Sequence, residues 1–557
     1  MDIKNTGPIP TGPREVKLDK FLAITSLSIV FLSVFALAIY SKESIDFAAK
    51  LLYWSTKIFA TPVLLFGFFA IIFVVGLAFS KYGSIKLGDG KPEYKTSSWI
   101  FMFLLAGLGS STLYWGFLDW AYYYQTPGLN IQPQSSEALK FSVPYTMFHW
   151  TVSAWAIYAL ASISLCYSFH VRKNKGLSLA SIIESITGFK ATGVVGRTVD
   201  LLFLLCMFGA LTISLVLTAV TFTNILSTLT GIPNNFMTNA IFVICVSVLF
   251  AISSYIGMDK GMQRLSSMVC YAVIAFVAYI FFFGPTHFIL DSTVSSVGTM
   301  FTNFVNMSLF TDPFGDGKFT REWTVFYWLW WTSYAPGVAL FVTRVSKGRT
   351  IREVLLAMVV GGSVGMWIFF GVMENYSIYQ FVNGLIDVPG ILSAEGGEVA
   401  ISQLLALLPG GTIMMWIFLA ITVIFLAAHM DAVGYAVSAT CSKGLREGED
   451  PSPRTRLFWC VMLTLLPLAI IFSKAPLDTM KTATVVTALP FIIVILIQTF
   501  GLIKWLREDY STLPSYLIEK GEKNDSLRML QEGQLIKEVS EEVVTLVKNV
   551  EIRSNSL

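Results

Sequence analysis

About twelve apolar runs, each long enough to cross a bilayer as a helix of about 20 residues, punctuate this chain. They begin near Phe21, Ile58, Ser98, Tyr145, Val199, Phe236, Leu265, Trp323, Val354, Thr412, Leu457 and Leu489. Continuous runs of this length have to satisfy their backbone polar groups within the segment, which in lipid only a helix does. The expectation is an all-α polytopic membrane protein with about twelve transmembrane helices. Charge agrees: 13% of the 557 residues are charged, against roughly 25% in soluble domains.

The loops alternate in charge. Lys81, Lys86, Lys91 and Lys95 follow the second run, Arg172, Lys173 and Lys175 the fourth, Lys260 and Arg264 the sixth, Arg344, Lys347, Arg349 and Arg352 the eighth, and Lys443, Arg446, Arg454 and Arg456 the tenth. The loops around 125–142, 228–235 and 383–408 hold almost no Lys or Arg. Because basic loops stay on the cytoplasmic side, both termini are expected in the cytoplasm. The first 20 residues contain acids and prolines and no signal-peptide pattern, so insertion is expected to rely on the first span. The expected organisation is a short segment 1–20, a transmembrane domain 21–506 and a soluble tail 507–557, helix-prone around Ser526 to Val550. Thr293 to Leu309 is too polar and short to cross and fits an interfacial segment.

Several functions are excluded. Net charge is +3, without basic clusters interleaved with aromatics, so no nucleic-acid partner is expected. Hydrolase, phosphate-loop and metalloprotease motifs are absent, and nothing points to an enzyme or a cofactor. Four scattered histidines and six cysteines without ligand spacing predict no metal site and no disulfide frame.

The segment EWTVFYWLWWTSYAPGVALFVTR, Glu322 to Arg344, carries Trp323, Phe326, Tyr327, Trp330, Trp331 and Tyr334 at three- and four-residue spacings. Such residues share a helix face. Core packing and an interfacial belt are the ordinary explanations, but belts sit at the water boundaries, and Trp330, Trp331 and Tyr334 fall near mid-span. A cage for a cation is the alternative. Helix breakers in AGLGSST (Ala106 to Thr112) and at Tyr334-Ala335-Pro336-Gly337 predict two opened spans five apart, as an inverted repeat would produce. Among intramembrane ionisable groups, Asp119 fits a packing acid, Glu374 a solvated span end, and His429 with Asp431 either a functional or a satisfied structural pair.

The stretches GDGKPEY, IFMFLLAGLGSSTLYWG, YYYQTP, MFHW, LFTDPFGDGKF, EWTVFYWLWW, TRVSKGRTIRE and SATCSKGLREGEDP resemble the betaine/choline/carnitine transporter family over most of the chain. The resemblance implies two inverted five-helix repeats of LeuT type, about 98–290 and 322–506, preceded by two extra helices, and a homotrimer. It places the substrate cage on Tyr122, Trp150, Trp330 and Trp331, with Tyr334 and Trp323 along the path. The family's sodium-binding Thr-Ser pair and Phe fall on Ala428-His429 and Gly337, poor ligands for a hard cation. Sodium-independent exchangers carry an Arg and a Met where this chain has Val269 and Val338, although Arg264 lies near the first and His429 could supply a positive charge. The coupling-site candidates are therefore His429, Asp431, Arg264 and Val338.

The resemblance implies a bacterial inner-membrane transporter of carnitine- or betaine-type quaternary ammonium compounds, working as a sodium-independent antiporter. The alternatives are a sodium- or proton-coupled symporter with His429 and Asp431 titrating, and a cation-sensing channel or receptor. The topology is testable in a cysteine-free background: Ser135→Cys should react with a membrane-impermeant maleimide added to intact cells, and Lys347→Cys only after lysis. The reverse pattern would invert the orientation.

Overall fold

The computed structural model describes residues 17–106, 109–174, 178–256, 258–443, 451–513 and 515–519, with the backbone alone at 17, 104–106, 250–256, 258–267, 516 and 519. The tail helix expected around Ser526 to Val550 and the side chain of Arg264 lie outside this description. The protein is an all-α polytopic membrane protein, as its apolar runs require. Two-residue strands β1 (Lys17–Leu18) and β2 (Ser442–Lys443) pair antiparallel.

Helices follow in chain order. α1 (Lys20–Ile39) and α2 (Ser41–Phe79) precede α3 (Thr96–Ala106), α4 (Thr112–Gln125), α5 (Ser136–Trp150), α6 (Val152–Cys166), α7 (Leu179–Thr187) and α8 (Val194–Thr230). α9 (Phe236–Ile256), α10 (Met258–Phe283), α11 (Thr286–Leu309), α12 (Val325–Val345), α13 (Ile351–Leu356) and α14 (Gly362–Val382) come next. The last are α15 (Val388–Ala394), α16 (Gly397–Ala406), α17 (Gly411–Thr440), α18 (Pro453–Phe472), α19 (Leu477–Tyr510) and α20 (Ser515–Glu519). Their starts carry the expected caps. The Asp19 carboxylate accepts from Phe21 N and Leu22 N, and Thr350 and Glu353 form a reciprocal capping box, satisfying donors that a first turn leaves free.

Among the described residues, eight helical spans are long and apolar enough to cross a membrane, nine if one bent pair counts as a single span. The expected spans outside those eight differ in informative ways. The run from Ser98 is divided between α3 and α4, that from Phe236 has a shorter apolar part, and that from Leu265 bends by 111° into α11. α12 is diluted by Trp, Tyr, Thr and Ser. The segment expected to lie at the interface is thus the far part of the α11 helix, packed on α5 and α14.

One expected break is present and the other is not. α3 ends at Ala106 and α4 begins at Thr112, but α12 runs unbroken through Pro336. Proline removes a ladder bond without forcing a helix open when neighbours hold it. α12 is held on several sides, lying against α2, α6, α8 and α19. An unexpected break instead separates α5 from α6 at Thr151 (φ −119°, ψ −114°).

The basic loops gather at one end of the bundle. Lys81 Nζ donates to the carbonyls of Tyr510, Ser511 and Leu513, Arg172 pairs with Glu508 at 2.6 Å and Asp509 at 2.8 Å, and Arg349 donates to Tyr94 O. At the other end the weakly charged loops meet: Gln125 Nε2 donates to Pro389 O and Tyr279 OH to Pro409 O.

α8 and α19 approach closely at Gly209, where an added Cβ would stand 2.8 Å from Ala483 O and 3.0 Å from its carbonyl carbon. Thr484 Oγ1 donates to Gly209 O at 3.0 Å across the same crossing. Because the obstructing atoms are backbone, Gly209→Val should cost about 1–3 kcal/mol or more. A lowered unfolding midpoint of the purified protein in detergent is expected; an unchanged one would contradict the contact.

Candidate functional site

Three helices supply the aromatic cluster. α5 ends on Trp150, α12 carries Trp323 (in the π-helical turn Thr320–Thr324 just before it), Tyr327, Trp330, Trp331 and Tyr334, and α4 carries Trp115, Asp119 and Tyr122. Trp150, Trp330 and Trp331 are 3%, 1% and 4% exposed. Their centroids lie 5.8 Å (Trp150 to Trp330), 4.8 Å (Trp150 to Trp331) and 5.2 Å (Trp330 to Trp331) apart. At these separations the three rings pack directly against one another.

The expected set divides. Tyr122 and Trp323, 5.0 Å apart, form a second group with Tyr123 and Trp115, and Trp115 bridges to Trp330 at 6.2 Å. Tyr122 is held by a hydrogen bond with Tyr114 OH at 2.8 Å. Tyr334 lies on the other side, 6.4 Å from Trp330 and 5.6 Å from the His429 ring.

Every indole N–H of the central trio is spent inside the protein. Trp150 Nε1 donates to Asp119 Oδ2 at 2.9 Å, Trp331 Nε1 to His149 O at 2.8 Å, and Trp330 Nε1 to Ala210 O at 3.4 Å. The His149 carbonyl sits at the end of α5, beside the break at Thr151, where backbone is less fully engaged in the helical ladder. Within the trio, the ring faces rather than the N–H groups are left to meet a ligand, whereas the neighbouring Trp115 Nε1 is buried without a hydrogen-bond partner among the described residues.

Asp119 is fully buried and also accepts from Tyr327 OH at 2.9 Å. The packing acid expected from sequence therefore fixes two aromatic rings of the cluster. Glu374 is likewise buried, accepting from Trp120 N at 3.1 Å and Thr146 Oγ1 at 2.8 Å; a solvated span end is ruled out because it lies in the middle of α14. His149 bonds Tyr123 OH and Thr324 Oγ1 and stacks on Tyr327 at 4.8 Å.

The coupling-site candidates do not form one site. His429 Nδ1 faces the broken third span, 3.4 Å from Ser110 N and 3.3 Å from Ser110 Oγ. Asp431 instead pairs with the buried Arg456 of α18 at 2.5 Å. Two residues apart on a helix do not share a face, so a directly titrating His429/Asp431 pair is not present. Val338 is half-buried on α12, Val269 is buried on α10, and no group of three or more His, Cys, Asp or Glu able to hold a metal occurs among the described residues.

Tyr327, Asp119 and Lys481 escaped the expected site. Tyr327 belongs to the sequence stripe, but its bond to Asp119 joins residues 208 apart. The last apolar run in the sequence starts near Leu489, whereas α19 starts at Leu477 and so includes Lys481.

The sequence profile of BCCT, the betaine/carnitine/choline family transporters, matches residues 21–511. The chain belongs to this family. A carnitine transporter of Acinetobacter baumannii is 72% identical over 520 residues, covering 93% of each chain. An uncharacterized transporter of Escherichia coli, YeaV, is 56% identical over 446 residues, 80% of this chain and 93% of its own. A solved sodium-coupled sialic acid symporter aligns at 14% identity with a TM-score of 0.42, over 81% of this chain and 86% of that one. As a BCCT member the protein is a transporter, not an enzyme.

Removing the Asp119 carboxylate would orphan the Trp150 and Tyr327 donors. Each buried orphan costs about 1–3 kcal/mol, so Asp119→Ala should weaken binding of quaternary ammonium compounds by about tenfold or more, and Asp119→Asn, which keeps an acceptor, by less. Equal, undiminished affinity in both variants, measured by tryptophan fluorescence titration, would contradict the positioning role.

Proposed function

We propose that this BCCT transporter carries carnitine-type quaternary ammonium compounds across the cytoplasmic membrane by alternating access, exchanging substrate for product without sodium. The observation that carries the reading is the trio Trp150, Trp330 and Trp331, with mutually adjacent rings and internally satisfied indole N–H groups. A trimethylammonium group has no N–H to donate, so ring faces have to replace its water. Cation–π contacts of about 0.5 to 2 kcal/mol each, added over three rings, offset much of that loss. The relative named a carnitine transporter supports the substrate class.

Sodium independence is supported by the coupling positions. Ala428 and Gly337 bring no side-chain oxygen, and the His429 imidazole stands against Ser110 of the broken span. An imidazole beside a missing hydroxyl is a poor oxygen site for a hard cation.

Trp323 to Ser333 are buried, whereas Tyr122 toward one end and Tyr334, Gly337 and Val338 toward the other are partly exposed. With the basic loops in the cytoplasm, both termini are cytoplasmic. The substrate-binding residues proposed are Trp150, Trp330 and Trp331, with Tyr122 and Trp323 on the outer approach and Tyr334 on the inner. The homotrimer implied by the family resemblance is kept as part of this reading.

Proteoliposomes test the reading. Uptake of labelled carnitine should rise several-fold with internal carnitine and persist when potassium replaces sodium. Strict dependence on a sodium gradient without stimulation from inside would overturn exchange. Trp330→Ala and Trp331→Ala should each abolish binding in folded protein; wild-type affinity in both would overturn the cage.

A further inference from the structure

Lys481 lies one turn into α19, at the end of the bundle where the weakly charged loops meet, and is 2% exposed. Its ammonium stands 3.8 Å from the Trp323 centroid and 4.9 Å from that of Phe326, and donates to Glu322 O at 2.9 Å. An ammonium has three N–H donors, and among the described residues this is the one hydrogen bond it makes. Among the described residues it also forms no ion pair. A buried charge kept in this state is costly.

Its position makes the cost informative. Phe326 stacks on Trp330 at 5.4 Å and 23°, so a single ring separates this fixed positive charge from the trio. Two unit charges about 10 Å apart at an effective dielectric of about 20 repel by enough to shift a binding constant roughly tenfold. The Asp119 carboxylate bonded to Trp150 offsets part of that repulsion, and a cation that brings its own anion removes the rest by pairing that anion with Lys481.

We propose that Lys481 receives the carboxylate of a zwitterionic substrate whose quaternary ammonium group rests on Trp150, Trp330 and Trp331. The inference rests on the cage reading above and narrows it, since zwitterions such as carnitine are selected over plain cations such as choline. The spare N–H donors offer the carboxylate charge-assisted hydrogen bonds. Trp323 and Phe326 face the ammonium with their rings and hold it in place. The cage reads the head of the substrate and Lys481 its tail.

The test compares carnitine, its methyl ester and choline on purified protein by calorimetric titration, in the wild type, Lys481→Gln and Lys481→Arg. In the wild type, carnitine should bind about tenfold or more tightly than its ester or choline. Lys481→Gln should lose most of that ratio, by weakening carnitine while leaving choline equal or tighter, and Lys481→Arg should restore it. Equal weakening of both ligands, or an unchanged ratio, would overturn the role. If Lys481→Gln fails to fold, the wild type alone decides, because equal affinity for carnitine and its ester would refute carboxylate recognition. Failure of all three ligands to bind would sink the cage reading itself, an outcome distinct from binding without discrimination.

Discussion

One buried carboxylate ties together the three helices on which the site is built. Asp119 of α4 accepts from the indole of Trp150 at the end of α5 and the phenol of Tyr327 on α12. Taking a carboxylate out of water is expensive unless its oxygens are bonded, and here the bonding groups are the rings that frame the cluster. The expense becomes geometry. Trp150 cannot rotate away without orphaning an acid, and α12 cannot slide past α4 without losing Tyr327.

The rest follows from where backbone is interrupted. The break at Thr151 leaves the His149 carbonyl beside Trp331, and the break between α3 and α4 brings Ser110 against His429. At membrane depth such interruptions persist where protein covers them or a cavity is lined. Both flank α12, which stays continuous through Pro336. The aromatic span is therefore a continuous helix, and the interrupted backbone belongs to the elements packed around it. With all three central indoles donating inward, the surface left for a ligand is π-electron density, suited to a cation that can neither donate nor accept a hydrogen bond.

Much of this was legible in the sequence. The apolar runs specified an all-helical membrane protein, and the spacing of Trp323 to Tyr334 placed the aromatic face, because both are local periodicities. What failed was local evidence for nonlocal outcomes. Pro336 reads as an opening in the sequence, yet neighbouring helices hold α12 closed; Glu374 reads as a span end, yet its side chain is buried within α14. The pairing of Asp431 with Arg456 rather than His429 depends on which face of α17 meets α18. Lys481 was hidden because polar residues in the first turns of α19 shortened its apparent span. No sequence pattern announces that Asp119 and Tyr327 meet.

The central claim is that three tryptophans address one quaternary ammonium group. A cryo-electron microscopy structure of the protein with carnitine bound would test it most directly. The account predicts the trimethylammonium nitrogen within about 6 Å of the Trp150, Trp330 and Trp331 centroids. Carnitine bound elsewhere, with none of these rings within that distance of its nitrogen, would contradict it.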